Sequence, residues 1–269
     1  MLKPLRQFIR ARSKAPLAKR TPDGERYYVI GDIHGRLDLF QPLVDAIERD
    51  AEQFDGEDAT IILLGDLVDR GPDSAGVVRY ARDLQQRRKV RILAGNHEEM
   101  FLQSFEDIEV LRHFLKFGGR ETLLSYGLDR STYNAMTLEE LFERIQTLVP
   151  QDERDFIAGF EELIVAGDYV FVHAGIDPTK PVENQKRSDK LWIRERFLRH
   201  DKPLSHVIVH GHTIFDEVEI RDWRIGIDTG AYNSGRLTAL VLEDDKRRLL
   251  TANQMESGAV DIQQRNILA

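Results

Sequence analysis

With 269 residues, 41% of them hydrophobic, the chain is long enough to bury a sizeable core and short enough to be a single large domain. Its 38 Lys and Arg against 46 Asp and Glu give a formal charge of −8, which argues against a protein whose main work is neutralising nucleic-acid phosphates. Cysteine is absent, which excludes disulfides, thiolate nucleophiles and Cys-based metal sites, so any metal must sit on His, Asp, Glu or Asn.

In chain order, the first twenty residues carry Lys3, Arg6, Arg10, Arg12, Lys14, Lys19 and Arg20 with no acidic residue. Their apolar residues stop after one short stretch and Pro16 interrupts any helix, so residues 1–25 are expected to form a flexible basic tail. No apolar run approaches the roughly 18–20 residues of a membrane span, and no secretory apolar segment follows the charges. The expectation is a cytoplasmic protein without membrane insertion.

From Tyr27 onward, short apolar runs end in Gly-containing turns and lead into amphipathic stretches, the rhythm of βαβ units and hence of an α/β fold. The runs at 27–30, 61–64, 90–94, 169–172 and 207–209 predict strands. Segments 37–52 and 74–88, with apolar residues at helical spacing and charged outer faces, predict helices. The stretch from about 100 to 163 reads as helical, a cap inserted within one domain spanning 26–255. Runs at 218–220, 223–227, 237–242 and 249–251 suggest largely antiparallel strands. Residues 256–269 read as a C-terminal tail, either disordered or adding an edge strand.

The five strand-like runs end in Gly31-Asp32-Ile33-His34-Gly35, Gly65-Asp66-Leu67-Val68-Asp69-Arg70-Gly71, Gly95-Asn96-His97-Glu98, His173-Ala174-Gly175 and His210-Gly211-His212-Thr213. Each piece alone is ordinary turn chemistry. Together they place five of the eight histidines where a parallel sheet gathers its strand ends, which predicts a metal site. In an extended segment residues two apart share a side, so Asp32 and His34 are expected to face one ion together.

The ordered set GDIHG, GDLVDRG, GNHE, H and GH resembles the calcineurin-like metallophosphoesterase superfamily, most closely its phosphoprotein phosphatase branch with the bacterial and phage serine/threonine phosphatases. The resemblance runs from about residue 27 to 242. It implies a four-layer β-sandwich flanked by helices, with two divalent metals at the sheet ends, manganese first and iron or zinc as alternatives. Asp32 and His34 would hold the first metal, Asp66 would bridge both, and Asn96, His173 and His212 would complete the second. A hydroxide bridging the metals would be the nucleophile. His97 would be the general acid and Asp69 would orient it, a helix cap or an Arg70 ion pair being the plainer reading of Asp69. Arg70 and Arg194 would grip the phosphate, although Arg194 also reads as an ordinary surface arginine. Tyr232 resembles a tyrosine overhanging the metals, a core position being the alternative. His210 is expected to be a neighbour of the metals rather than a ligand.

The match departs from the eukaryotic protein phosphatases at Ala94, where they carry arginine, and at His210-Gly211-His212, where they carry Arg-Ala-His. Ile214, two residues beyond His212, removes the His-x-His ending of nuclease and cyclic-nucleotide branches. Glu98 is the form found in protein phosphatases, where symmetrical diadenosine tetraphosphate hydrolases tend to carry Asp. The expected activity is therefore phosphomonoester hydrolysis, first on phosphoserine or phosphothreonine in proteins and on small phosphoesters. The alternative is a nucleotide polyphosphate hydrolase of the diadenosine tetraphosphate type. That alternative needs a base-stacking pocket, which Phe101, Phe105, Phe114, Phe117 and Tyr126 would supply unless they fill the core of the cap. The sequence does not fix an oligomeric state, and no nucleic-acid partner is expected.

Overall fold

Alternation of side chains along strands whose two faces are both covered explains the two central sheets. The computed structural model describes residues 19–54, 56 and 58–267, so most of the basic segment expected as a tail lies outside the described residues. The first sheet contains β1 (Glu25–Ile30), β2 (Asp58–Leu63), β3 (Val90–Ile92), β9 (Arg236–Glu243), β10 (Lys246–Gln254) and β11 (Val260–Ile267), in the order β11-β10-β9-β1-β2-β3. The second contains β4 (Ile164–Ala166), β5 (Tyr169–Val172), β6 (Val207–His210), β7 (Glu219–Arg221) and β8 (Arg224–Gly226), in the order β4-β5-β6-β8-β7. The chain is thus an α/β sandwich of two mixed sheets with helices on their outer faces.

In β1, Tyr27 and Val29 turn toward the second sheet and meet Phe171, Val209 and Ile225, while Tyr28 and Ile30 turn outward onto helices. Burial on both faces is why such strands read as unbroken apolar runs rather than as alternating ones. The outer layer on the first sheet is α1 (Leu37–Ala51) and α2 (Ser74–Arg87). Their apolar stripes, including Leu39, Leu43, Val44 and Ile47 on α1 and Val77, Ala81 and Leu84 on α2, are the ones the sequence spacing marks. The second sheet is covered by α9 (Arg187–Trp192), whose Leu191 is buried, and α10 (Glu195–Leu198), whose Phe197 packs beside Val170, Val172 and Ile208.

Between β3 and β4 the chain is helical: α3 (Asn96–Gln103), α4 (Ile108–Phe114), a π-helical turn (Leu115–Gly119), α5 (Arg120–Ser125), α6 (Arg130–Ala135), α7 (Leu138–Leu148) and α8 (Gln151–Ala158). This insertion has its own core. Phe101 packs against Phe105, Phe114 and Tyr126 with ring centroids 5.3, 5.5 and 6.3 Å apart. Four of the five aromatics weighed as a base-stacking pocket are therefore packing residues, and only Phe117 remains exposed. The last element with a bearing on the site is α11 (Ala231–Ser234), between β8 and β9.

Two details differ from the sequence reading. β8 pairs parallel with β6 in the second sheet, so the strands after His212 are divided between sheets rather than forming one antiparallel run. Within 256–269, Val260–Ile267 pairs with β10 and forms an edge strand with mostly exposed polar residues.

Phe171 sits between the sheets, stacked on Tyr27 at 5.7 Å and fully buried. Truncation in Phe171→Ala is predicted to cost about 3–5 kcal/mol of unfolding free energy, read from urea denaturation. A cost below about 1 kcal/mol would show that the two sheets can close over the gap.

Candidate metal centre

Parallel strands leave their carboxyl ends on one side, and here six such ends meet. The loops after β1, β2 and β3 come from the first sheet, and those after β5, β6 and β8 from the second. They are tied together across the sandwich. The His173 Nδ1–H donates to the Leu64 carbonyl at 2.9 Å, and the His212 amide donates to the Asp32 carboxylate at 3.0 Å.

The local backbone is unusual. Six described non-glycine residues have positive φ: His34 (46°), Asp66 (50°), Asp69 (75°), Arg70 (68°), His212 (62°) and Asp244 (52°). All but Asp244 are expected site residues. Each such position costs on the order of 1–3 kcal/mol unless the surroundings enforce it. The extended backbone expected to aim Asp32 and His34 together is thus replaced by a left-handed turn at His34. Glycine is required where these turns pass close to carboxylates. A Cβ at Gly95 would lie 2.1 Å from Asp66 Oδ1, and one at Gly211 2.0 Å from Asp32 Oδ1.

Glu98 supplies much of the enforcement. Its buried carboxylate accepts backbone N–H groups of Asp66 (2.8 Å), Leu67 (2.7 Å), Val68 (3.3 Å) and Gly95 (2.8 Å), which joins the β2 loop to the start of α3. Burial, with the charge of Asp66, pushes its carboxyl up to about 7. From the first turn of α3 the His97 amide donates to Asp66 Oδ1 at 3.0 Å, the expected use of a helix N-terminus facing an anion.

Around Asp66 the ligating atoms form two groups, His34–Asp66–His97 and Asp66–His173–His212, each with its atoms within 4.8 Å of one another. Asp66 is common to both. Asn96 Oδ1 adjoins the second group, 3.0 Å from His173 Nε2 and 2.7 Å from His212 Nδ1. Asp32 lies beside Asp66 and Asp228, and burial together with these two carboxylates pushes it well above the usual carboxylate range.

The donor set fits divalent cations. With Nδ1 donating to Leu64, His173 Nε2 carries the lone pair and faces the Asn96 Oδ1 acceptor, a buried contact that a cation would relieve. His34 is arranged likewise, its Nδ1–H donating to the Val68 carbonyl at 2.7 Å. Burial pushes His34 and His173 down, and His212 to about 2, so these imidazoles are neutral, the form that binds metals.

His97 differs. Its Nδ1–H donates to Asp69 at 2.6 Å, and although burial opposes its charge, Asp66 and Asp69 outweigh burial and raise it. Asp69 is itself fixed by the cap: Thr122 donates to its Oδ1 at 2.6 Å, and its own amide donates to Thr122 Oγ1 and Ser74 Oγ, each at 2.9 Å. Asp69 thus pairs with His97 and does not cap a helix or pair with Arg70. Arg70 reaches over the centre, donating to His34 Nε2 (2.7 Å) and His97 Nε2 (2.8 Å) and stacking above Tyr232 at 4.8 Å. Arg194 donates to His212 Nε2 at 3.0 Å. Tyr232 is not a core residue: it is exposed and stands edge-on to His34 at 5.4 Å. His210 is buried outside both groups, against Phe197 and Phe215, and burial pushes it down to about 3.

Sequence reasoning gave Glu98 only a bearing on substrate and missed Thr122, Ser74 and Asp228. Thr122 carries no local signal, because its partner is 53 residues away. Asp228 stands four residues before Tyr232, and its carboxylate accepts the Gly230 amide at 2.8 Å.

Residues 25–231 match the sequence pattern of a family described as calcineurin-like phosphoesterase. A bis(5'-nucleosyl)-tetraphosphatase PrpE (asymmetrical) of Bacillus velezensis is 29% identical over 235 residues, covering 79% of this chain and 87% of its own. The protein of the same name from Bacillus anthracis is 29% identical over 238 residues, covering 80% and 89%. A crystal structure described as a candidate diadenosine tetraphosphatase superposes with a TM-score of 0.56 at 20% identity, over 93% of this chain and 95% of its own. A cold-active protein tyrosine phosphatase superposes with a TM-score of 0.58 at 18% identity, over 91% and 82%. At these identities the two structures speak for the fold.

Glu98→Ala strands four backbone N–H groups in a buried loop. It is predicted to lower stability by at least about 3 kcal/mol and to weaken metal binding, measured by denaturation and by calorimetric titration with Mn²⁺. Unchanged metal affinity would show that the loop holds its left-handed turns without this carboxylate. Because Asp32 is raised, a metal must displace a proton from it as pH falls into its range. Metal binding should therefore release protons and tighten with rising pH, and calorimetry in buffers of different ionisation enthalpy would detect this.

Proposed function

Because the chain belongs to the calcineurin-like phosphoesterase family, and so is a phosphoester hydrolase, we propose that it hydrolyses dinucleoside tetraphosphates asymmetrically, releasing a nucleoside monophosphate and a nucleoside triphosphate. One observation carries the substrate: relatives named for that activity align with about four-fifths of the chain. The expectation of a serine/threonine protein phosphatase falls to second place. Its distinguishing residue was Glu98, and the Glu98 carboxylate is engaged with backbone amides rather than directed at a substrate. A water-soluble nucleotide substrate also supports the cytoplasmic setting, with no macromolecular partner required.

Asp32, His34 and Asp66 are the residues proposed to hold one divalent cation, and Asp66, Asn96, His173 and His212 the second; the mixed carboxylate, amide and imidazole set suits manganese, iron or zinc. Such a pair supplies Lewis acidity and an activated water. The protein's own groups do the rest. Arg70 and Arg194 reach the centre from opposite ligand groups, His34–His97 and His212, and their guanidinium forks suit phosphoryl oxygens. When a phosphoryl group draws Arg70 away, His97 Nε2 is free to carry a proton, with the Asp69 carboxylate balancing the imidazolium. That proton passes to the leaving oxygen.

The leaving oxygen of a polyphosphate is weakly basic and needs this proton less than a serine or threonine alkoxide does. His97→Ala is therefore predicted to lower kcat by about 10²–10⁴ on a phosphothreonine peptide, and by less on diadenosine tetraphosphate. Side-by-side turnover by metal-stripped protein reloaded with Mn²⁺ tests the substrate. A preference of about a hundredfold in kcat/KM for the dinucleotide, roughly 2.7 kcal/mol, is expected, and a preference for the peptide would overturn the reading.

A further inference from the structure

Among the described residues three aromatic side chains are exposed, Phe117 (45%), Trp192 (41%) and Tyr232 (36%); Trp192 and Tyr232 stand beside the site imidazoles His212 and His34, and Phe117 adjoins the cap residue that packs on Arg70. Every other described Phe, Tyr and Trp is at least partly buried. Each of the exposed rings keeps a face that a planar group could cover.

Phe117 and Trp192 lie on different elements, the π-helical turn of the cap and α9. Phe117 belongs to the π-helical turn of the cap and precedes Gly118, whose carbonyl accepts the Arg70 amide at 3.1 Å. Gly118 has φ 109°, and a Cβ there would lie 2.7 Å from Arg70, so the cap is seated against this arginine through bare backbone. Phe117 is thereby held one residue from the contact, with the exposed His113 ring 4.6 Å away. Trp192 is fixed on the other side: its indole N–H donates to Glu99 at 2.8 Å, and its ring stands 6.5 Å from His212. Arg194, two residues beyond Trp192, donates to the same His212 at 3.0 Å.

We propose that Phe117 and Trp192 are stacking platforms for nucleobases, one at each end of the metal centre, so that a dinucleotide lies with its phosphates across Arg70 and Arg194 and a base on each ring. This deepens and rests on the proposed activity. An exposed aromatic beside a guanidinium is suited to a nucleotide, since stacking takes any base and the arginine takes the adjoining phosphate. A phosphopeptide would need neither two platforms nor their flat faces.

The test compares AMP with ribose 5-phosphate as inhibitors of aryl phosphate hydrolysis by the Mn²⁺-loaded protein, so that the two inhibitors differ only in the base. AMP is expected to bind tighter by roughly 5- to 100-fold. Phe117→Ala and Trp192→Ala should each reduce that ratio, and the double variant should bring it near one, while Phe117→Trp and Trp192→Phe should keep it. Quenching of intrinsic fluorescence by AMP, but not by ribose 5-phosphate, should disappear in Trp192→Phe. Equal inhibition by the two compounds, or a ratio unchanged in the double variant, would overturn the platforms. If the ratio depends on these rings while diadenosine tetraphosphate is not hydrolysed, the platforms stand and the substrate reading fails. Hydrolysis of the dinucleotide without a base advantage gives the converse.

Discussion

The Glu98 carboxylate is the contact on which the centre rests. It is a buried carboxyl, pushed up to about 7, and its charged form without partners would be intolerable at that depth. It is instead met by amides from two loops, those of Asp66, Leu67 and Val68 after β2 and that of Gly95 after β3. The same four hydrogen bonds that make the charge bearable hold Asp66 in its left-handed turn. With Asp66 fixed, the two imidazole groups around it have a common member in a defined place.

Strain and polarity are concentrated in the same few residues. Left-handed backbone at His34, Asp66, Asp69, Arg70 and His212 and the raised carboxyl of Asp32 both oppose folding, and the sandwich beneath supplies the opposing burial. The rigid sheets cannot relax to release either one, because the strands are packed on both faces. A site of this kind is destabilised in isolation and stabilised by any cation that occupies it.

The sequence made much of this legible. Apolar runs ending in Gly-Asp, Gly-Asn-His and Gly-His marked the strand ends, since a strand buried on both faces and a tight turn each leave a local trace. The spacing of Leu39, Leu43, Val44 and Ile47 marked α1 for the same reason. What escaped was nonlocal. Thr122 reaches Asp69 only because the cap folds back, β8 joins β6 across intervening loops, and the three-residue β4 is too short to show a period. The left-handed turn at His34 also left no mark, because a residue that adopts positive φ against its own preference is forced there by neighbours rather than by its type.

The seating of the cap on Arg70 has a consequence for how such a chain diversifies. The inserted helices meet Arg70 through the Gly118 carbonyl and Asp69 through the Thr122 hydroxyl. A replacement of the helices beyond α3 that restores those two contacts would keep Asn96, His97 and Glu98 in place while presenting a new surface to whatever is attached to the phosphate. The helices from α4 to α8 are in this sense an exchangeable module, and one metal centre can face new substrates by replacing them.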